Sequence, residues 1–368
     1  MIISVRYRWT ILFSFLTCAM ACQAIGVRTD TMDTLSEKPR RESWIKRTLR
    51  KFTETDTNYI ELQRYDFTVM VQNTNTIERY SFLTSNGPRV TFSPRGAMKV
   101  GPYFGYRWAF LGYTFDLNHL SNSNRKKELD LSIYSAQIGV DLFYRSLGDD
   151  YRVKSFNVGG NLNLNSMKNV SFSGLDGKIS GFNLYYIFNH HKFSYPAAFS
   201  QSTVQRRSAG SVLAGIGYMR HSISVDWQKF QELAQDVTGY SPVKLGLDTT
   251  LKVSHIHYTD ISLSGGYGYN WVFARNFLFA ISLSGALGYK HTTSETDHDR
   301  FSLKSFKFSN LALDGIGRFG LVYNNMRWYA GTSAVFHTYY YKKSKFSTNT
   351  TFGNINFYIG FNFGRRKK

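Results

Sequence analysis

The stretch "DISLSGGYGYNWVFARNFLFAISLSGALGYK", residues 260–290, alternates with period two on both sides of a break at Ala274–Asn276. Ile261, Leu263, Tyr267, Tyr269, Trp271 and Phe273 share one parity. Asp260, Ser262, Ser264, Gly266, Gly268 and Asn270 take the other. After the break, Phe277, Phe279, Ile281, Leu283, Leu287 and Tyr289 alternate with Leu278, Ala280, Ser282, Ser284, Ala286, Gly288 and Lys290. Successive side chains of a strand point to opposite faces. The stretch therefore reads as a hairpin with one large apolar face and one small or polar face. Its arms are longer than the ~5–6 residues of an ordinary strand. That length, with aromatics at the ends of the apolar face, fits a membrane barrel better than a soluble sandwich.

The rest of the chain repeats this pattern. In "NINFYIGFNFG", Ile355, Phe357, Ile359, Phe361 and Phe363 face one way, and Asn354, Asn356, Tyr358, Gly360 and Asn362 the other. In "KVGPYFGYRWAFLGYTFDLNHL", residues 99–120, the apolar parity flips once, so a reversal is expected about Arg107–Ala109. Twelve segments follow: 65–83, 89–107, 109–119, 128–145, 151–165, 175–190, 208–228, 252–273, 275–291, 306–323, 327–342 and 351–363. An even count suits an antiparallel barrel with both termini on one side. Two segments, 128–145 and 208–228, change phase partway, which implies a bulge or a break. Short connections near 107–109, 146–150, 274 and 324–326 are expected in the periplasm. Longer ones near 119–127, 166–174, 229–251, 292–305 and 343–350 are expected outside the cell. The stretch 191–207, "HKFSYPAAFSQSTVQRR", is placed on the periplasmic side as a plug or an ordered turn.

Composition agrees with an all-β, antiparallel transmembrane β-barrel of about 12 strands. Of 368 residues, 30 are Phe, 25 Tyr and 30 Gly, against 6 Pro. Past residue 24 no apolar run approaches the ~20 residues of a spanning helix. Residues 1–24 read as a secretory signal peptide, with Arg6 and Arg8 before an apolar core and small residues before Ala21 or Ala24. Lipidation at Cys22 is the alternative. Both cysteines, Cys18 and Cys22, lie in this segment. Its removal lowers the formal net charge from +20 to +18. In an exported protein the natural counter-charge is lipopolysaccharide phosphate rather than nucleic acid. Residues 25–60 form a basic periplasmic segment, possessing in 38–52 the spacing of an amphipathic helix. The barrel proper is expected over 61–368.

Several stretches resemble an outer-membrane family of the Bacteroidota catalogued as domain of unknown function 4421. They are "TNYIELQRYDFTVMVQNTNT", "KVGPYFGYRWAFLGYTFDLNHL", "IGVDLFYRSLGDDYRV" and "NLYYIFNHHKFSYPAAFSQSTVQRRSAGSVLAGIGY". The resemblance implies an outer-membrane barrel over about 55–368 and carries no catalytic residues.

Side-chain chemistry points the same way. His221 and Ser222 are adjacent and so face opposite ways. His255 and His257 share a face without a third metal ligand nearby, His190 and His191 read as structural, and Glu295, Asp297 and Asp299 read as a solvated loop. No catalytic, cofactor or metal site is expected. The expected lumen-lining charges are Asp141, Asp226, Lys290, Asp314 and Arg318. The expected aromatic girdle is Tyr106, Trp108, Trp271, Tyr289, Tyr323 and Trp328. The function expected in the cell outer membrane is a narrow channel or a structural or accessory envelope component without catalysis. A barrel hydrolase of lipid or peptide, or a loop-based binding partner, is the alternative. Expected partners are outer-membrane lipid and lipopolysaccharide, the barrel insertion machinery and an envelope protein.

Overall fold

The computed structural model describes residues 54–84, 87–106, 109–112, 115–116, 127–148, 151–159, 162–247, 253–292, 310–343 and 346–365. The signal segment, the basic stretch 38–52, the acidic run 295–299 and Trp108 lie outside these residues.

The 260–290 stretch forms the expected hairpin. Strands β13 (Val253–Ala274) and β14 (Phe277–Thr292) pair from Tyr258↔Thr292 to Ala274↔Phe277. Around them one antiparallel sheet is built from β2 (Tyr65–Thr84), β4 (Ala97–Tyr106), β5 (Ala109–Gly112), β7 (Lys127–Tyr134), β8 (Ile138–Ser146), β10 (Leu175–Ile187), β12 (Ala209–Asp226), β15 (Leu311–Asn324), β16 (Trp328–Lys343) and β17 (Phe346–Arg365). The order is β5-β4-β2-β17-β16-β15-β14-β13-β12-β10-β8-β7. β6 (Phe115–Asp116) continues β5 along β4. Twelve spanning positions result; ten of the eleven adjacencies in this order join sequence neighbours as up-and-down hairpins, and the eleventh pairs β17 with β2.

The sheet is curled until strands far apart in this order touch. Arg318 on β15 binds Asp141 on β8, and Arg145 on β8 binds Glu78 on β2 at 2.6 Å. Lys99 on β4 reaches Glu128 on β7 at 2.9 Å, bringing the two ends of the order together.

The faces are inverted relative to a soluble protein. Ile261, Leu263, Tyr267, Trp271, Leu283 and Leu287 are exposed, whereas Asp260, Ser262, Asn270, Ser282 and Lys290 are buried. A soluble sandwich would bury the first set, so the apolar face must be solvated by lipid. From Ile261 to Trp271 a strand rises about 34 Å at ~3.4 Å per residue. With the usual tilt this spans the ~25 Å apolar band of an outer-membrane barrel. Among the described residues no helix is long and apolar enough to cross a membrane.

Three sequence expectations change. Segment 128–145 is a hairpin, β7 and β8, turning at Ser135–Gln137; the Ser135 hydroxyl donates to the Ile138 carbonyl at 2.9 Å and accepts from the Ile138 amide. Segment 151–165 is not a spanning strand. Its β9 (Tyr151–Asn157) pairs with β3 (Arg89–Pro94), off the main order. One strand gained and one lost leave the total at twelve and place the described residues 146–148 at the long-loop end, where Ser146 pairs with Lys178. Segment 208–228 has no bulge in its strand. Odd residues face inward from Ala209 to Val225, and β12 then runs into helix α2 (Trp227–Thr238). The apparent phase change arises because the inward residues themselves turn apolar near α2.

That end of the lumen holds an aromatic core. Phe230 of α2 is fully buried and meets Phe92, Phe156, Phe172 and Trp227 edge-to-face, with ring centroids 5.2–5.9 Å apart. Close backbone approach also shapes the wall at the other end. A Cβ on Gly360 would stand 2.1 Å from the buried Tyr329 ring, whose hydroxyl bonds Thr68 at 2.8 Å. Gly360→Ala is therefore expected to cost about 1–3 kcal/mol as an overpacking change, measured by urea unfolding in lipid vesicles. An unchanged midpoint would show the ring can move aside.

Candidate functional site

The site that bears on function is the lumen, read from the short-turn end upward. There the chain between β10 and β12 turns inward. Ser194 caps α1 (Tyr195–Phe199) by accepting from the Ala197 amide at 3.3 Å, and Pro196 stands in its first turn, where the backbone N–H has no partner within the helix to lose. Tyr195, Pro196, Ala197 and Ala198 are buried. The segment binds four strands of the wall. The Tyr195 hydroxyl lies 2.5 Å from that of Ser282 on β14. Asn270 on β13 donates to the Ser194 carbonyl at 2.8 Å, and Asn324 on β15 to Gln201 at 3.1 Å. Gln201 donates to Tyr358 on β17 at 2.9 Å. Ala197 and Ala198 pack on Leu278, Ala280 and Val322. Stretch 191–207 is thus a plug inside the barrel. The sequence marked it as unusual, but its place depends on strands far away in the chain.

A strand from the N-terminal side clasps this plug. β1 (Ile60–Leu62) pairs with β11 (Thr203–Gln205) in a separate two-stranded sheet. Arg206 donates through Nε to Glu61 at 2.6 Å. Burial raises the Glu61 carboxyl, but the charges and hydrogen bonds of Arg206 and Arg64 outweigh it and hold the pKa below the usual 4.5. A lowered carboxylate contributes stability above its unfolded pKa and loses it as pH falls through the folded one. Protease cleavage after Arg64 is therefore expected to accelerate only below about pH 4.5. Acceleration on raising the pH instead would contradict the clasp.

Above the plug lie paired charges. Arg318 binds Asp141, which also accepts from Ser132 at 2.6 Å, and its guanidinium lies over the Tyr185 ring at 4.7 Å. Higher up, Arg145 meets Glu78 at 2.6 Å, Asp130 at 2.5 Å and Glu128 at 3.2 Å. Tyr151 donates to Glu78 at 2.8 Å. On β14, Lys290 donates to Asp314 at 2.8 Å and to the Tyr340 carbonyl at 2.5 Å, with Asp260 at 3.9 Å. The aromatic core around Phe230 lies beyond these.

Of the expected lumen charges, the structure brings Arg318 together with Asp141 and Lys290 with Asp314, all inside. Asp226 is not among them. It sits on the even, outward parity of β12 and caps α2, accepting from the Lys229 amide at 3.0 Å. Glu78, Lys99, Glu128, Asp130 and Arg145 were missed, while Asp260, placed on the polar face of its segment, was not named among the lumen charges. Parity would have found Arg145, which follows Asp141 and Phe143 on one face of "DLFYR". Tyr106, Trp271 and Trp328 stand exposed at the short-turn end, with Tyr323 half-buried beside them; Tyr289 lies toward the long-loop end. The rings of His255 and His257 stack at 6.3 Å, and no group of three His, Cys, Asp or Glu could hold a metal among the described residues.

A curled antiparallel sheet, apolar and aromatic outside and polar inside, is an outer-membrane β-barrel. The chain belongs to the family described as domain of unknown function (DUF4421), whose model matches residues 54–363. No curated protein matches it. Among solved structures it resembles the P. putida toluene transporter TodX at 9% identity, TM-score 0.23, covering 82% of this chain and 91% of that one. It resembles the β domain of the Bordetella autotransporter BrkA at 10% identity, TM-score 0.27, over 80% and 98%. It also resembles OprG of Pseudomonas aeruginosa at 10% identity, TM-score 0.21, over 82% and 98%. The class assignment rests on the chain's own inverted faces.

Proposed function

We propose that this protein is a closed outer-membrane barrel without catalysis, serving as a structural or accessory component of the envelope rather than as an open channel. The observation that carries this reading is the plug, with Tyr195, Ala197 and Ala198 buried between β13, β14, β15 and β17. The aromatic core at the other end supports it, because it fills the lumen a second time. The interior charges support it as well: Arg145 and Arg318 are ion-paired with carboxylates of the wall, which ties strands together across the lumen. By the rule that such barrels have short periplasmic turns and long outer loops, the plug faces the periplasm. The connections free to meet an envelope partner are then the long ones. Planar-bilayer recording of the full chain tests this reading. No stable conductance steps are expected at 100 mV applied potential, of the order used for such pores. Reproducible open steps from the folded protein would favour the channel.

A further inference from the structure

The two short turns beside the plug form a basic groove. Arg206, Arg275, Asn276, Asn325, Arg327 and Trp328 line a cavity of about 670 Å³. The groove is held in shape. The Asn324 amide donates to the Asn276 carbonyl at 2.9 Å, tying one turn to the other. Asn325 accepts from the amides of Arg327 and Trp328 at 3.1 and 2.7 Å. Arg206 donates to Asn276 at 2.8 Å and is already neutralised by Glu61. Among the described residues neither Arg275 nor Arg327 forms an ion pair, and both are exposed. Arg327 is steadied over the Phe361 ring at 5.2 Å, and Trp328 packs on the same ring at 4.5 Å.

Two unpaired guanidiniums at the mouth call for an anion they can grip in bidentate fashion, and phosphate is the best match. The groove opens onto the lipid-facing wall, where exposed Trp328 and Phe277 lie beside Tyr323. A free ion would not use that wall, whereas an acyl chain would. Interfacial aromatics beside cations are the setting of a lipid headgroup. We infer that this groove binds one anionic glycerophospholipid, with its phosphate on Arg275 and Arg327 and an acyl chain along Trp328.

Native mass spectrometry of the full chain, delipidated in detergent and titrated with phosphatidylglycerol, tests the assignment. One tightly held lipid per barrel is expected, with occupancy reduced about tenfold in R275Q/R327Q. The control R79Q/R220Q removes two exposed arginines far from the groove and is expected to leave occupancy unchanged. A heat-modifiable band on gels shows that each variant is folded. Equal retention by R275Q/R327Q and the parent overturns the site. An equal loss in R79Q/R220Q shows unspecific attraction and also overturns it. Displacement of the lipid by millimolar inorganic phosphate would assign the groove to the free ion and overturn the lipid.

Discussion

Arg318→Met is expected to destabilise the folded barrel by about 3–5 kcal/mol, because it strands the Asp141 carboxylate inside the lumen without its counter-charge. Both side chains are almost wholly buried, 2% and 5% exposed. The guanidinium also lies over Tyr185 and, at 5.9 Å, over Tyr195 of the plug. The loss therefore reaches both the wall and the plug. The size of the effect comes from the unpaired partner rather than from the pair. Replacing both ions often costs little, since neither then needs desolvation. D141N/R318M, which leaves Ser132 a partner at position 141, is expected to recover most of the lost stability. Urea unfolding in lipid vesicles, followed by tryptophan fluorescence, reads both variants. If the double variant is as unstable as Arg318→Met, packing of the arginine stem rather than charge pairing dominates.

Phe230→Ala is expected to have a comparable effect, about 3–5 kcal/mol, at the opposite end of the lumen. Four rings lean on Phe230 at 85–89° to its plane. Each such pair adds roughly 0.5–1.5 kcal/mol beyond area burial. Truncation removes all four at once and leaves a cavity that the surrounding strands cannot close. α2 depends on this ring and on Trp227 for its attachment, so it should become the first site of proteolysis. Limited digestion should cut within 227–247 in Phe230→Ala under conditions that spare the parent. The same variant should still not conduct, because the plug at the other end is untouched. Cleavage at the membrane-facing hairpins instead would show that the core does not hold the helix.

Most of the wall was legible in the sequence, and the contents of the lumen were not. Period two showed the hairpins because each residue's face follows from its own position. The inverted faces of 260–290 then gave lipid outside and polar groups inside. Reading failed where the inside is apolar. Ile223 and Val225 look like a phase switch, yet they keep the inward parity and meet the core beneath α2. The signals of α2 were local and present: Asp226 as its cap and Gly239 at φ 71° as its end. Turn Ser135–Gln137 was hidden because it contains neither glycine nor proline. The plug could not be placed from sequence, since Asn270, Ser282, Asn324 and Tyr358 converge on it only once the sheet is curled. Charge pairs across the lumen share that difficulty: Asp141 and Arg318 stand 177 positions apart.

The most direct test of a barrel sealed from within is thiol accessibility at the plug. With Cys18 and Cys22 replaced by Ser, the chain has no other cysteine. Ala198→Cys introduces a thiol at a position that is 0% exposed, and Leu62→Cys one at a position 58% exposed on the clasp. A charged maleimide should label the folded Leu62→Cys protein rapidly and the folded Ala198→Cys protein at least about a hundredfold more slowly, as the opening free energy of a buried segment requires. Labelling of both at the same rate, in protein shown to be folded, would place 191–207 outside the lumen and contradict the closed barrel.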